Sequence, residues 1–486
     1  MLLVLALGSL GDALPLFVLA SEHAARSCAA GRPVPAVSFV AGAAVCRQIA
    51  VVAASAQLHP TRCPCNLARC LRIDAHPGLG DGVCDDARIA SETDFVLAAA
   101  GAGGDAALVA SGRPAVSAVA FNLFSLAGWA AAERLGVPAI CVSPFDPSAV
   151  TPMPPGFLDS LADARPDLVA AISPASGALH PDALAESDVR FWMWRLLLDD
   201  MSAVRERIGL DPVAMAVGDG RVPLATHLLV LQSRAAMGDL EMPAHGHQTG
   251  LVAPVPLPHP ADVLARDPDL AFLAGSGDGR DVVLVCLGSM EELASDLRSD
   301  ETIAAMMRSL AFAAVLSDLV VLWISPCSSP AAARAFAALA MRDKAAAGTV
   351  RLVSRPVRLD AIMSALAPGG SDQGDEAEAQ PSVAAVVHHG GAGTFQTCSL
   401  HGTPQLIMPQ RFDQHSVCGR GTRRGVALEV GAGLGVAAWR DALDWAQSEP
   451  VAAACAVLSA EMRAEQAEGH GISSAAAHLA QLNATR

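Results

Sequence analysis

The chain has 486 residues, of which 52% are hydrophobic, and its formal net charge is −16. This length is too great for one ordinary domain and predicts two or three. Nucleic acid is a poor partner for so acidic a surface, because its phosphates need clustered cations, and a purely electrostatic attachment to anionic lipid is also disfavoured.

The cysteine pattern excludes a small disulfide-bonded scaffold, since 12 cysteines are spread over the whole chain. Four of them cluster beside two histidines. The members of this cluster are Cys63, Cys65, Cys70, Cys84, His59 and His76. A zinc site is one interpretation, but the closely spaced C-x-x-C pairs of zinc sites are absent. A loop with free thiols is therefore the preferred interpretation, and no metal site is predicted.

Two apolar stretches raise the question of membrane targeting. The N-terminal run has no basic start and is interrupted by Asp12, which favours a buried strand and a glycine turn over a signal peptide. The uncharged stretch between Arg113 and Glu133 is nearly long enough to span a bilayer. Pro114 and Asn122 interrupt it, so a strand followed by a helix is preferred. We expect a cytoplasmic protein, with peripheral membrane association as an option.

Short apolar runs alternate along the chain with longer alanine-rich stretches of helical character. The predicted strands of the first half are Leu2–Leu7, Ala36–Val40, Val116–Phe121 and Ala139–Ser143. Those of the second half are Val282–Leu287, Leu319–Ile324, Val350–Val353, Ala384–His388 and Gln405–Met408. Continuous apolar strands separated by helices indicate parallel sheets covered on both faces. Two such sets predict an α/β protein with two doubly wound domains.

Shifts in composition predict the domain boundaries. Residues 1–251 form the first domain, and residues 252–280, which are rich in proline, aspartate and glycine, form a linker. The second domain spans 281–465, and a C-terminal helix at 466–486 has the option of packing back on the first domain. The acidic segment 367–382 lacks large apolar residues and is predicted to be a disordered insertion.

The segment that carries the chemistry begins at Val386 and reads VVHHGGAGTFQTCSLHGTPQLIMPQRFDQH. An apolar strand ends at His388, a glycine-rich turn follows, and a helix is predicted over Thr394–His401. Unpaired N–H groups and the positive end of the helix dipole would face an anion in this turn. Thr394 would cap the helix or donate its hydroxyl to a phosphate, and His389 would supply a further donor.

The glycine pattern differs from the dinucleotide fingerprint G-x-G-x-x-G, and no acidic residue follows about twenty positions later to hold a ribose. This argues against a nicotinamide oxidoreductase. A second glycine set, Gly431–Gly435, is predicted to be a turn rather than a cofactor loop.

Taken together, HHGGAGT, GTPQLIMP and DQ resemble the donor-binding signature of the UDP-glycosyltransferase superfamily. The nearest branch is the one that holds sterol 3-beta-glucosyltransferases and the bacterial glycosyltransferases of glycopeptide, macrolide and rhamnolipid synthesis. GSLGDALP at Gly8–Pro15 and VCLGSM at Val285–Met290 resemble two further turns of the family. The resemblance implies a GT-B architecture, with two facing Rossmann-like domains that bind the acceptor on the first and the UDP-sugar on the second.

The resemblance also assigns donor-binding residues. They are Ser9, Gly11, Gly288, Ser289, Val357, His389, Gly391, Gly393, Thr394, Asp413 and Gln414. His389 matches the histidine that contacts the diphosphate, and Ser289 matches a phosphate contact. Asp413 and Gln414 match the pair that hydrogen-bonds the sugar hydroxyls, for which a carboxylate and an amide are chemically suited. Val357 lies where the family's loop contacts uracil, although the tryptophan or glutamine of many relatives is missing there.

Asp12 matches the family's general base, which takes the proton from the acceptor hydroxyl as that oxygen attacks the anomeric carbon. An aspartate with a pKa near ~3.9 is a weak base, so proton transfer is concerted with attack or Asp12 is desolvated. The helix N-terminus would stabilise the leaving UDP without a metal, and attack from the opposite face inverts the anomeric centre. Leu10 replaces the family's usual arginine, and N-capping of the first helix is the alternative role for Asp12.

The sequence thus predicts an inverting hexosyltransferase that moves a hexose, with glucose expected, from a UDP-sugar to a hydroxyl of a lipophilic acceptor such as a sterol. The UDP-sugar is a co-substrate, and no cofactor is predicted. A catalytically silent nucleotide-sugar- or lipid-binding scaffold of the same fold is the alternative, and sugar-nucleotide epimerisation is a third hypothesis. For individual residues, His389 as a buried structural histidine and Asp413–Gln414 as a plain turn remain open alternatives.

Overall fold

The fold is that of a computed structural model. It describes residues 2–6, 10–29, 37–42, 46, 49, 71–76, 116–123, 125, 127–146, 204–211, 227–240, 242, 245–252, 270, 273, 279–288, 300–325, 330–355, 357–366, 381–410 and 413–484.

The first domain is built on a sheet of seven parallel strands in the order β3-β2-β1-β4-β5-β6-β7. The strands are β1 Leu2–Ala6, β2 Val37–Gly42, β3 Leu71–His76, β4 Ala118–Phe121, β5 Ala139–Ser143, β6 His227–Val230 and β7 Gly246–Gln248. The helices are α1 Leu10–Ala29, α2 Ala127–Leu135 and α3 Arg234–Met237. Every residue of β1 is buried because the sheet has an apolar core on each face.

The second domain holds six parallel strands in the order β10-β9-β8-β11-β12-β13. Its strands are β8 Val282–Cys286, β9 Val320–Ile324, β10 Val350–Val353, β11 Val383–His388, β12 Gln405–Ile407 and β13 Ala427–Glu429. Its helices are α4 Asp300–Leu316, α5 Pro330–Arg342, α6 Lys344–Thr349, α7 Leu359–Ala365, α8 Ala392–Leu400, α9 Gln414–Arg423, α10 Val436–Ala446 and α11 Glu449–Ala467. A last helix, α12 Ile472–Ala484, follows.

In both sheets the first strand lies in the middle, and the chain builds outward first on one side and then on the other. The strand order therefore reverses between β1 and β4 and again between β8 and β11. Doubly wound sheets bind ligands at the carboxyl ends of the strands beside such a reversal. In the second domain His388 pairs with Cys286 at this edge, so the glycine turn after β11 lies beside the turn after β8.

The prediction of two doubly wound parallel α/β domains is confirmed, and all nine predicted strands are present within two residues of their predicted ends. Four further strands, β3, β6, β7 and β13, were not predicted. The interpretation of the cysteine-rich stretch as loop is wrong for Leu71–His76, which forms β3. The clustered cysteines themselves, nearly all of the linker and residues 367–380 lie outside the described residues, so the domain boundaries remain predictions.

The uncharged stretch that ends at Glu133 forms β4 and α2, as predicted. Within the described ranges, no helix combines the length and the apolar character needed to cross a membrane.

The C-terminal helix α12 leaves the second domain and packs on the first. Ala475, Ala476 and Leu479 are buried in the same apolar cluster as Leu16 and other residues of α1. The chain crosses over just before α12, where the Gly471 N–H donates to the Thr249 carbonyl at 2.5 Å. A Cβ at Gly250 would lie 2.6 Å from the Gly471 nitrogen, so this crossing requires glycine.

Replacing Leu479 by alanine should destabilise the first domain, because Leu479 is 1% exposed in its core. The expected loss in the free energy of unfolding is about 2–5 kcal/mol, from lost burial and the cavity left behind. Urea denaturation followed by circular dichroism measures it. Ser473→Ala, on the exposed side of the same helix, should change stability by less than about 0.5 kcal/mol. Equal effects of the two variants would show that α12 is not part of the core.

Candidate functional site

The glycine turn connects β11 to α8 at the carboxyl edge of the second sheet. Gly390 has a φ of +90°, a left-handed conformation that glycine adopts without strain. Gly391 is the N-cap of α8, which begins at Ala392. The predicted start at Thr394 is therefore wrong by two residues, and Thr394 is the third helical residue rather than a cap. Its side chain is partly exposed, so hydroxyl donation to a ligand remains open to it.

The N-terminus of α8 presents N–H groups that the helix itself does not use. The first bond of the helix runs from the Phe395 N–H to the Gly391 carbonyl at 3.0 Å. Gly391 has no side chain that could cap the helix, and no side-chain capping bond is made there. The N–H groups of Ala392, Gly393 and Thr394 thus point outward with the positive end of the helix dipole. This arrangement suits a phosphate or another anion.

His389 lies between the two glycine turns of the site. A Cβ at Gly288 would lie 3.2 Å from its Cε1, and one at Gly391 would lie 2.5 Å from its Nε2. Desolvation lowers the pKa of His389 to about 4, and a hydrogen bond with the Leu287 backbone acts in the opposite direction. The ring is therefore neutral at pH 7.

The Nδ1 atom of His389 is buried and makes no hydrogen bond within the described part of the chain. A buried polar atom without a partner is costly, and a ligand oxygen would satisfy it in the tautomer that carries the proton on Nδ1. Residue His389 as a whole is half-buried whereas His388 is fully buried, so the purely structural role fits His388 better than His389.

His388 is the structural histidine of the pair. It is 0% exposed, its Nδ1 accepts from the Gly390 N–H at 3.1 Å, and its Nε2 donates to Gln405 Oε1 at 2.9 Å. The Gln405 amide then donates to Ser399 Oγ at 3.1 Å, and the Ser399 hydroxyl donates to the Phe395 carbonyl at 2.9 Å. This buried hydrogen-bond chain joins the glycine turn to the second turn of α8. Neither Gln405 nor Ser399 was singled out from the sequence.

Asp413 and Gln414 lie directly beside the glycine turn. A Cβ at Gly390 would lie 3.1 Å from the Gln414 carbonyl oxygen, which brings the start of α9 against that turn. Gln414 is 5% exposed, and its Oε1 accepts from the Gln410 N–H at 2.8 Å. Asp413 is the half-buried N-cap residue of α9, but its carboxylate makes no capping bond. The carboxylate is therefore not used for helix capping, and the oxygen of the Gln414 amide holds the Gln410 N–H beside the start of α9.

The structure places Asp12 in the first turn of α1, after β1 at the carboxyl edge of the first sheet. Because α1 begins at Leu10, Asp12 is the third helical residue, and the alternative in which it is the N-cap is wrong. Gly11 precedes it in the same turn. The side chain of Asp12, and the whole of Ser9 and Ser289, lie outside the described residues.

Val357 is half-buried and packs against an apolar cluster of the second domain that includes Val353 and Ile362. The described geometry thus brings together Gly288, His389, Gly391, Thr394 and Gln414 at one edge of the second sheet.

A polar group that the sequence interpretation missed lies at the reversal in the first sheet. Asn122 follows β4, and its Oδ1 lies 2.6 Å from Ser125 Oγ. The Ser125 hydroxyl also lies 2.8 Å from the Leu5 carbonyl of β1. Both residues are buried, so this pair fixes the carboxyl ends of β1 and β4 side by side. A polar residue placed directly after an apolar strand was the available signal.

Residues 378–472, which contain the whole of this site except Gly288, match the family model for the C-terminal domain of erythromycin biosynthesis protein CIII-like proteins. A stretch of 73 residues is 41% identical to TDP-daunosamine transferase DnrS of Streptomyces peucetius, and covers 14% of this chain and 17% of that protein. A stretch of 46 residues is 48% identical to vancomycin aglycone glucosyltransferase of Amycolatopsis orientalis, and covers 10% of this chain and 11% of that protein.

The chain thus matches well under a fifth of the length of these curated relatives. At the level of the fold the likeness extends over the whole chain. The crystal structure of the glycotransferase of kitacinnamycin superposes with a TM-score of 0.58 at 17% identity, covering 99% of this chain and 98% of that one. The two parallel-sheet domains therefore have the GT-B fold, and residues 378–472 of the second domain are similar in sequence to the C-terminal domain of erythromycin biosynthesis protein CIII-like proteins.

The buried histidine makes folding stability depend on pH in a defined direction. Desolvation, together with the neighbouring His389, lowers the pKa of His388 from 6.5 to about 3, although its bond to Gln405 acts in the opposite direction. The unfolded chain takes up this proton near pH ~6.5 and the folded chain does not, so stability is full above that pH and falls below it.

We expect His388→Gln to reduce the slope of unfolding free energy against pH by about 1.4 kcal/mol per pH unit between roughly pH 6 and pH 4. Urea titrations at several pH values measure this slope. An unchanged slope would mean that His388 is already protonated in the folded protein.

Gly391→Ala should weaken UDP binding about tenfold or more, because the added Cβ displaces the His389 ring and costs a charge-assisted hydrogen bond to phosphate. Isothermal titration calorimetry with UDP measures the affinity. Gly433→Ala, in a turn with open space around the new methyl group, is the matched control and should bind as the wild type does. Equal UDP affinities of the wild type, Gly391→Ala and Gly433→Ala would show that the position of the His389 ring does not affect nucleotide binding.

Proposed function

We propose that the chain is an inverting glycosyltransferase that moves a hexose from a UDP-sugar to a hydroxyl group of a lipophilic natural product. The observation that carries this proposal is the open N-terminus of α8, with the neutral His389 beside it, at the strand-order reversal of the second sheet. In this proposal the three N–H groups at the start of α8 and the adjacent imidazole contact the diphosphate. The match of residues 378–472 to the C-terminal domain of erythromycin biosynthesis protein CIII-like proteins supports the same assignment.

In this proposal the diphosphate is bound without a metal and no cofactor takes part. The leaving UDP gains negative charge as the glycosidic bond breaks. The helix dipole and the N–H groups at Gly391–Thr394 are already oriented toward that charge, so little reorganisation accompanies the reaction. Gly288 and Gly391 leave room for the His389 ring, whose neutral form donates one hydrogen bond to a phosphate oxygen.

Asp413 and Gln414 are proposed to hold the sugar. The Gln414 Oε1 accepts from the Gln410 N–H, and in this proposal the Gln414 NH2 group and the Asp413 carboxylate form the hydrogen bonds to the sugar hydroxyls. Glucose is the expected sugar. Because one relative is named for a TDP-sugar and another for glucosyl transfer, both UDP- and TDP-linked hexoses and deoxyhexoses belong among the donors to be tested.

The acceptor is proposed to bind on the first domain, where Asp12 acts as the general base. Its position in the first turn of α1, at the carboxyl edge of the sheet, is compatible with this role. A sterol is the acceptor suggested by the sequence resemblance, while the relatives extend the candidates to antibiotic aglycones with free hydroxyls. A cytoplasmic location, with peripheral membrane contact as an option for the lipophilic acceptor, completes the proposal.

The second candidate is a protein of the same fold that binds nucleotide-sugar or lipid without turnover. The observation that favours it is Leu10 in the first turn of α1, in place of the arginine of the resembling family. The two candidates share the donor site and differ in the first domain, so they predict the same affinity for UDP and different rates of transfer.

The test is a mass-spectrometric screen of UDP- and TDP-sugars against sterols, aglycones and phenols, repeated with Asp12→Asn. We expect transfer by the wild type and a loss of at least about 100-fold in kcat for Asp12→Asn, with UDP affinity unchanged, because a general base contributes about 10²–10⁴-fold. Glu22→Gln, on the same helix, is the control and should retain full activity. Full activity of Asp12→Asn would remove Asp12 from the mechanism, and UDP binding without any transfer would favour the silent protein.

A further inference from the structure

The helix that carries the glycine turn is also bonded directly to the first domain. The backbone N–H of Ser233, which follows β6, donates to Gln396 Oε1 on α8 at 2.6 Å. Both residues are 1% exposed. Gln396 lies only two positions after Thr394, and its own NH2 group donates to the Ala392 carbonyl at 3.2 Å. One amide side chain thus connects the first turn of α8 to the backbone of the other domain.

The same segment of the first domain is held by α11 as well. The Glu465 carboxylate accepts from the Ser233 hydroxyl at 2.5 Å, from the Arg234 N–H at 3.0 Å and from the Ala235 N–H at 3.2 Å. Arg424 donates to the Ala235 carbonyl at 2.7 Å and to Glu461 at 2.7 Å. Glu465 of the second domain thus accepts from the N–H groups at the start of α3, and Arg424 donates to a carbonyl of the same helix.

An apolar cluster surrounds these polar contacts and crosses the boundary between the domains. Its members include Ala236, Met237 and Leu251 of the first domain and Ala392, Phe395 and Val417 of the second. Water is therefore excluded from the Ser233–Gln396 bond, and a hydrogen bond in such surroundings has strict geometry and is costly to leave unmade.

The Ser233 side of the contact is in turn fixed to the sheet of the first domain. Gln232 is 0% exposed, and its NH2 group donates to the Pro144 carbonyl after β5 at 3.4 Å. The carboxyl ends of β5 and β6 are thereby joined next to Ser233. A continuous path of buried contacts runs from these strand ends through Ser233 and Gln396 to Ala392.

We propose that Gln396 is a positioning residue, which sets the distance and orientation of the donor turn at 391–394 relative to the carboxyl edge of the first sheet. This role rests on the proposed function, in which the donor sugar and the acceptor meet between those two edges. The N–H groups at the start of α8 and the His389 ring, which are proposed to hold the diphosphate, belong to the second domain, so we expect loss of the contact to leave UDP affinity intact. The rate of transfer falls, because a misplacement of reacting groups by about 1 Å costs on the order of 100-fold.

The contact can be removed from either end. Gln396→Met keeps the volume and removes the acceptor. Ser233→Pro removes the donor, and the Ser233 φ of −64° already suits proline. Proline also lacks the hydroxyl that contacts Glu465, so Ser233→Ala is its reference. Ser459→Ala is the matched control. It removes the hydrogen bond from Ser459 Oγ on α11 to the Leu400 carbonyl on α8 at 2.6 Å, which lies entirely within the second domain.

For Gln396→Met we expect kcat to fall by about 10- to 100-fold, with the UDP dissociation constant and the donor KM within about twofold of wild type. Ser459→Ala should keep kcat. A double-mutant cycle combines Gln396→Met with Ser233→Pro and uses Ser233→Ala as the reference protein for the proline variant. In this cycle kcat of the double variant should fall no further than kcat of either single variant, because both changes remove the same bond. Unchanged kcat in Gln396→Met, a parallel loss of UDP affinity, or additive effects in the cycle would each overturn the proposal.

Hydrogen exchange separates this role from the proposed function itself. UDP should slow exchange at 391–396 in wild type and in Gln396→Met, and at Ser233 in the wild type only. If the protein binds UDP but transfers sugar to no acceptor, the hydrogen exchange rate at Ser233 tests the positioning role instead. Equal slowing by UDP at Ser233 in the wild type and in Gln396→Met would refute the coupling between Gln396 and the first domain. If calorimetry shows that the wild type does not bind UDP, the proposed function fails first and the positioning role falls with it.

Discussion

The buried hydrogen-bond chain beneath the glycine turn is the constraint on which the candidate site depends. It runs from the Gly390 N–H through His388, Gln405 and Ser399 to the Phe395 carbonyl. Each link has one donor and one acceptor, so the tautomer of His388 and the direction of the Gln405 amide are determined together. The turn is therefore held in its open form by the protein, and the N-terminus of α8 faces outward before a ligand arrives.

This preorganisation explains the division of labour between two adjacent histidines. Successive residues of a strand point to opposite sides, so the residue that ends β11 turns inward and the next one turns toward the ligand edge. Burial makes both rings neutral, but His388 uses both nitrogens inside the protein, while His389 keeps Nδ1 unused within the described structure. The sequence HH alone does not distinguish these roles, because the chemistry of the two side chains is the same.

Sequence patterns predicted the central strands because those strands are buried on both faces and read as continuous apolar runs. Three of the four strands that were missed, β3, β7 and β13, are the edges of their sheets. GHQ is partly exposed, and neither LRIDAH nor GHQ carries a continuous apolar run. The anion-binding turn was predictable because its elements are local. The contacts of Ser233 with Gln396 and Glu465 join residues far apart in the chain, and no local pattern announces them.

The path of the chain through α12 has a consequence for how the protein is made. The outer face of α1 is completed by a helix that the ribosome produces only after the entire second domain. A nascent first domain therefore has exposed apolar residues on α1 throughout that interval, and its final packing waits for α12. The Gly250–Gly471 crossing, where two backbones touch, then closes this arrangement. The apolar cluster of the first domain is thus completed by a segment that follows the second domain in the chain, although each half has its own sheet.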